Sequence, residues 1–256
     1  MAAVSAPQRY EGQDLEALAD IPNYQQWILD TFPAPPRGRV LEIGAGIGNL
    51  ARHYVDRVDE TVLLEPASNL RARLEAAFRG RPTVHVVSAL LEDVCGRRVG
   101  DVSLELGTFD TILLINVLEH VDDDSAMLGL IRSLLRPGGT LLLFVPALPW
   151  LYGSLDALVD HKRRYTREGL RKGVASAGLD VAFLRYFDVL GVLPWIVAGR
   201  VLKRKQFDEV AAKLYDATAV PLGSRMERRF APPLGKNLIC AATRGDEPPP
   251  MGSAAA

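Results

Sequence analysis

Three glycines at alternate positions, Gly44, Gly46 and Gly48 in "VLEIGAGIGNL" (40–50), follow an apolar run that carries an acid, Glu42, two residues before the first of them. Glycine lets the backbone take dihedrals closed to other residues and approach a ligand closely. A second acid, Glu65, lies 21 residues after Gly44, about where a carboxylate meets the two hydroxyls of a ribose beside a strand-to-helix turn. Together these residues describe a nucleoside site. A pyrophosphate is disfavoured there, because Asn49 stands where a dinucleotide turn wants a small residue and Glu42 would repel the anion. An ammonium group would be attracted. The ligand that satisfies both requirements is a nucleoside carrying an amino acid, as S-adenosylmethionine does.

Two other stretches carry chemistry. "NVLEH" (116–120) offers Asn116, Glu119 and His120, and "YGSLDALVDHKRRYT" (152–166) offers Tyr152, Asp156, His161, Arg163, Arg164 and Tyr165. Histidine, with a reference pKa of about 6.5, suits proton transfer at neutral pH. His120, Glu119 and His161 are therefore the candidate proton acceptors, against the plainer reading that each makes local hydrogen bonds. The Arg163 and Arg164 forks match a carboxylate or phosphate, or else pair with local acids such as Asp156, Asp160 or Glu168 and brace the segment. Tyr152, Tyr165 and Trp195 complete the candidate acceptor contacts. The run Asp122, Asp123, Asp124 reads as a solvated helix start.

Behind these residues stand short apolar runs, "RVLEI" (39–43), "TVLLE" (61–65), "TVHVVS" (83–88), "DTILLIN" (110–116) and "GTLLLFVP" (139–146), alternating with polar stretches that are mostly helical in pattern. Near-continuous Val/Ile/Leu strands are buried on both faces, and strand–helix alternation makes parallel βαβ units. The chain is thus an α/β doubly wound sheet whose carboxyl edge carries the site. Beyond it the pattern predicts a helix from about Thr166, a strand at 180–187, a helical region at 189–230 and a last strand, "NLICAATR" (237–244). Residues 1–36 read as an N-terminal helical lid broken at Pro22, with Tyr10 and Tyr24 facing the ligand. Residues 37–246 form the main domain with cap segments at 147–165 and 189–230, and 247–256 a disordered tail. "YFDVLGVLPWIVAGRVLKRK" (186–205) reads as a cap helix; a membrane-surface or lipid-binding segment is the alternative.

The motifs "VLEIGAGIGNL", "VLLEP", "FDTILLINVLEHVDDD" and "LLRPGGTLLLFVP", spanning 38–146 in this order, resemble the class I S-adenosylmethionine-dependent methyltransferases. "RYEGQDLEAL", "LYGSLDALVDHKRRYT" and "PPLGKNLICAATR" resemble the ubiquinone-methyltransferase type of small-molecule methyltransferase. The resemblance implies a Rossmann-like sheet of seven strands in the order 3-2-1-4-5-7-6, the last antiparallel, with helices on both faces. It implies that Glu42, Gly44, Ala45, Gly46 and Gly48 meet the methionine part of S-adenosylmethionine and Glu65 the ribose, with Pro66, Asn116 and Val117 beside them; for the adenine the candidates are Glu92 and Asp93, of which Glu92 is taken. Related ubiquinone O-methyltransferases can hold a divalent metal with two acids and a histidine here. Asn116 replaces the first acid, a weaker ligand for a hard cation, and no metal is expected.

The implied activity is methyl transfer to a small-molecule acceptor, O-methylation first and N- or C-methylation behind it, in bacterial natural-product or secondary metabolism. Two rivals remain. One is a non-methylating member that keeps the donor as a bound cation, a cyclase or binding module; the other is an NAD-dependent oxidoreductase, opposed by the glycine spacing, Glu42 and the "LRPGG" turn. A formal net charge of -1 over 256 residues gives no general attraction for nucleic acid. The two distant cysteines, Cys95 and Cys240, match no disulfide or metal framework, and the N-terminus carries no signal-peptide pattern. A cytoplasmic protein without stable membrane insertion is expected, its oligomeric state open.

Overall fold

The computed structural model describes residues 21–246. Its centre is a sheet of seven strands: β1 (Arg39–Ile43), β2 (Glu60–Leu64), β3 (Val84–Val87), β4 (Phe109–Ile115), β5 (Leu135–Pro146), β6 (Leu179–Phe187) and β7 (Asn237–Arg244). They lie in the order β3-β2-β1-β4-β5-β7-β6. All neighbours are parallel except β7, which runs antiparallel to both β5 and β6. The expected order holds, and the detail it lacked is a separate two-stranded ribbon, Arg98–Val99 with Val102–Ser103.

Continuous burial explains the continuous apolar runs. Ile112, Leu113 and Leu114 of β4 are fully buried, and side chains of alternate parity join different core clusters on the two faces of the sheet. Around it lie α1 (Pro22–Thr31), α2 (Ser68–Ala77), α3 (Leu91–Val94), α4 (Asp124–Leu134), α5 (Ser154–Leu158), α6 (Arg167–Ser176), α7 (Val192–Ile196, continued by a wider turn Val197–Val201) and α8 (Glu209–Arg229). The acidic run behaves as a helix start: Asp123 caps α4 by accepting from the Ala126 N–H. Thr166 caps α6 in the same way.

The structure adds detail at Pro22 and corrects two other local expectations. Pro22 opens α1, where a missing N–H costs nothing, and the free N–H groups of Asn23 and Tyr24 are satisfied by Asp216 of α8 at 3.3 and 2.7 Å; the helix expected before it lies outside the described residues. The segment after the glycine turn forms two short 3-10 turns, Ala51–His53 and Val55–Arg57, in place of a regular helix. The 189–230 region is interrupted between α7 and α8 at 202–208. The first 20 residues of the expected lid, Tyr10 among them, and the tail 247–256 lie outside the described residues. No described helix is long and apolar enough to cross a membrane.

Candidate active site

The glycine turn sits where β1 leaves the sheet. The N–H groups of Gly44 and Ala45 both donate to the Leu64 carbonyl, at 2.8 and 3.1 Å, which ties the turn to the end of β2. Glu65 therefore lies directly beside it: one carboxylate oxygen accepts from Gly46 N–H (2.8 Å) and the other from Ala67 N–H (2.9 Å). Pro66, between these two anchors, is half-buried. Burial raises the Glu65 carboxyl above its ordinary range, opposed by the Ala67 and Gly46 hydrogen bonds. Glu65 thus braces the turn while keeping lone pairs for a ligand hydroxyl, a double use that spacing alone did not reveal.

Gly44, Gly46 and Gly48 have φ of +72°, +58° and +81°, the left-handed region that favours glycine. A Cβ on Gly44 would stand 2.4 Å from Val117 Cγ2, and one on Gly48 2.4 Å from the Phe78 ring. Gly44→Ala is expected to lower both melting temperature and donor affinity, with a backbone cost of about 1–2 kcal/mol before the collision is counted. Gly80→Ala is the control: its φ is +82° but nothing lies within 4 Å of the added Cβ. Equal effects of the two changes on ligand binding, measured by calorimetry, would remove the close approach from the argument.

Glu42 is buried beside the turn and accepts a hydrogen bond from the Tyr54 hydroxyl. Burial pushes its carboxyl up to about 7, against the Tyr54 bond, which lowers it, and with a smaller contribution from Glu65. Asn116 follows β4 with φ of +53°, its N–H bonded to Phe144 O at 2.9 Å. Glu92 is exposed in the first turn of α3 after β3.

The second half of the site is assembled by the segment that leaves β5. It folds back so that Leu148 N–H bonds Tyr165 O, Tyr165 N–H bonds Pro146 O and Lys162 N–H bonds Glu119 O. Leu148 and Asp160 take the left-handed conformation to make these bends. Three residues from distant stretches meet as a result. His161 Nε2 is 3.6 Å from Glu119 Oε1, and the His161 and His120 rings pack edge to face with centroids 4.9 Å apart.

Asp156, fully buried, organises this corner. It accepts from His161 Nδ1 (3.0 Å), Arg164 Nε (2.7 Å), Gly153 N–H (3.0 Å) and Trp195 Nε1 (3.4 Å). A carboxylate on Nδ1 selects the tautomer protonated there and leaves the Nε2 lone pair facing Glu119. Burial alone would raise the Asp156 carboxyl, but His161 and Arg164 hold it below the ordinary range. Neither Glu119 oxygen receives a hydrogen bond among the described residues. Burial pushes this carboxyl up to about 7, with His161 pulling the other way.

Both arginines make local pairs of the bracing kind. Arg164, proposed from sequence as an acceptor contact, is buried with its guanidinium committed to Asp156 and the Ala147 carbonyl and stacked 4.9 Å from the Trp195 ring. Arg163 donates to Asp122 O and pairs with Asp124, yet its side chain stays one-third exposed. The Tyr165 hydroxyl bonds Leu118 O and Asp124, so Tyr165 fills the base of the segment. Tyr152 is exposed and donates to His161 O at 2.7 Å. The sequence names Asp156 as a partner for the arginines but not for His161; its place five residues before that histidine was the available signal.

The absence of an acid at 116 removes one metal ligand, but the fold supplies another. Glu119, His120 and His161 each offer a ligand atom, and these atoms lie within 4.8 Å of one another.

Comparison with known proteins agrees with this geometry. Residues 16–183 match a family model described as a methyltransferase domain. The ubiquinone biosynthesis O-methyltransferase of Xanthomonas campestris pv. campestris is 29% identical over 191 residues, covering 70% of this chain and 76% of that protein. Among solved structures, the methyltransferase in complex with the Haloferax volcanii Trm112 methyltransferase activator superposes with a TM-score of 0.61 at 14% identity, covering 92% of this chain and 95% of that one. Haemonchus contortus phosphoethanolamine N-methyltransferase 2, in complex with S-adenosyl-L-methionine, gives 0.58 at 16% identity, covering 87% and 52%.

Proposed function

The chain belongs to the class I S-adenosylmethionine-dependent methyltransferases, and from that premise we propose that it methylates a small-molecule acceptor on an ionisable hydroxyl, with His161 as the proton acceptor. The observation that carries this reading is the line Asp156–His161–Glu119 at the end of β4. Methyl transfer from a sulfonium needs nucleophile, methyl and sulfur in line, and alignment alone is worth up to about 7–11 kcal/mol in ideal cases. A hydroxyl must also lose a proton. The bound donor would supply the methyl group, its carbon–sulfur bond breaking to a neutral thioether as the acceptor oxygen bonds the carbon, and His161 Nε2 would take the hydroxyl proton. The Asp156 carboxylate stabilises the imidazolium through Nδ1. His120 packs against the same ring, and Glu119 can hold a proton near neutral pH.

On the donor side, Glu42 is assigned to the methionine ammonium and Glu65 to the ribose, with the 44–48 backbone, Asn116 and Val117 along the ligand and Glu92 at the adenine end. An acidic acceptor group would be met by Arg163, and Trp195 and Tyr152 would flank the acceptor. The alanine- and arginine-rich composition favours a bacterial natural-product pathway.

The Glu42 assignment has a pH consequence. A carboxyl raised from 4.5 to about 7 is protonated more readily in the free fold than in the unfolded chain, so it lowers stability as pH rises through that window. An ammonium ligand favours the ionised form, and the sign for binding is opposite. S-adenosylhomocysteine affinity is expected to rise about tenfold from pH 6 to pH 8, and Glu42→Gln should flatten the profile. A wild-type profile that is already flat would detach Glu42 from the ammonium.

A divalent cation at Glu119, His120 and His161 is the second reading, favoured by the convergence of three ligand atoms and the unbonded Glu119 oxygens. One carboxylate with two imidazoles suits a transition metal, which when bound would polarise the acceptor oxygen. Dialysis against a chelator is expected to leave turnover unchanged. Activity lost to chelation and restored by zinc or manganese would favour the metal.

The test of the acceptor class is a panel of catechols, phenolic acids, amines and carbon nucleophiles with methyl-labelled donor, followed by the chemical shift of the transferred carbon. Methoxyl products support the proposal. Transfer only to nitrogen or carbon overturns it.

A further inference from the structure

The break between α7 and α8 carries a surface that methyl transfer does not use. Leu193, Val197 and Val201 follow one another at i, i+4 and i+8, so they share a helix face, and all three are exposed, at 67%, 40% and 66%. Leu202 (56%) continues the patch, and Val210 (77%) opens the next helix. Trp150 (53%) adjoins it, its carbonyl bonded to Arg200. Ser154 of α5 joins the same corner by bonding Gly199 O and Arg204 O. A fold with a well-buried core has no structural reason to leave this many large apolar side chains in water on adjoining turns.

The charge around them is mostly positive. Arg200, Lys203, Arg204 and Lys205 place four cations in six positions, all exposed, in a chain whose net charge is -1. Asp208 caps α8 and pairs with Arg204, and Glu209 follows it. No ion pair engages Lys203 or Lys205 among the described residues. We propose that the α7–α8 corner docks this protein on an anionic lipid surface, with the apolar face entering the headgroup boundary and Lys203, Arg204 and Lys205 resting on lipid phosphates.

Charge selects this occupant over a second copy of the chain. A two-fold interface sets each patch against itself, which would bring the two cation clusters together. An anionic bilayer neutralises them and takes up the Leu193–Val197–Val201 face at the same time. Neither helix is both long and apolar enough to span, so the contact is peripheral and reversible.

Flotation of the full chain with phosphatidylcholine vesicles, with and without one-third phosphatidylglycerol, tests this. Binding is expected only with the anionic lipid, and it should weaken as salt is raised. Trp150 emission should shift to shorter wavelength on binding, and Trp150→Phe should remove that shift. The variant Lys203→Gln/Arg204→Gln/Lys205→Gln should lower the partition coefficient by roughly 100-fold. Leu193→Glu/Val197→Glu should abolish binding. S-adenosylhomocysteine binding by each variant checks that its fold is intact. Should the apolar variant fail that check, the charge variant and Trp150→Phe still decide. Equal binding to both vesicle types, or variants that bind like the wild type, would overturn the proposal. So would a concentration-dependent dimer that Leu193→Glu/Val197→Glu dissociates.

Discussion

His161→Ala is expected to lower the turnover number for methyl transfer by roughly 10²–10⁴-fold, the usual contribution of a positioned acid–base group, while S-adenosylhomocysteine binds as it does to the wild type. The expectation rests on two contacts. Asp156 holds Nδ1 at 3.0 Å, and Nε2 is left facing the corner where Glu119 and His120 meet it. Asp156→Asn separates positioning from packing, since the amide fills the same space without the charge that selects the tautomer and stabilises the imidazolium. Its turnover should fall as well, while S-adenosylhomocysteine binding is kept. Full activity of His161→Ala would pass the proton to His120 or Glu119, or show that no base is needed.

Loss of the two carboxylates proposed to hold the donor is the second large effect. Glu42→Ala and Glu65→Ala are each expected to weaken S-adenosylhomocysteine binding by about 1–3 kcal/mol, the range for a hydrogen bond to a charged group. The two should differ in stability. Glu65 also satisfies the Gly46 and Ala67 N–H groups, so its removal loosens the turn and should lower the melting temperature. Glu42 is a buried carboxylate whose ionisation opposes folding at neutral pH, so its removal should cost less there. Calorimetric titration together with thermal unfolding reads both. Unchanged affinity in both variants would move the donor away from the glycine turn.

The sheet and the donor turn were legible because their signals are local. An apolar run buried on both faces announces a strand, and β1 and β7 have the bounds the sequence pattern sets. Alternating glycines announce three positive φ values, and the structure has all three. The corner proposed to be catalytic was legible only in its parts. Glu119, His120 and His161 could be named as candidates, but 42 residues separate Glu119 from His161, and their meeting depends on a fold-back bonded through Lys162, Tyr165 and Leu148. Side-chain partners were least legible. Arg164 is one fork among many in a sequence, and only the buried Asp156 beside it identifies a brace.

The central claim is transfer of a methyl group from a donor held at Glu42 to a small molecule activated at His161. Purified protein, methyl-labelled S-adenosylmethionine and a small-molecule extract of the source cells, followed by mass analysis, test it most directly, with Glu42→Ala and His161→Ala beside the wild type. The account predicts label in a discrete small molecule with the wild type. It predicts reduced label with Glu42→Ala that recovers at saturating donor, and little label with His161→Ala at any donor concentration. Donor bound but never consumed, while an extract component rearranges without gaining mass, would contradict it and make the chain a non-methylating member of its family.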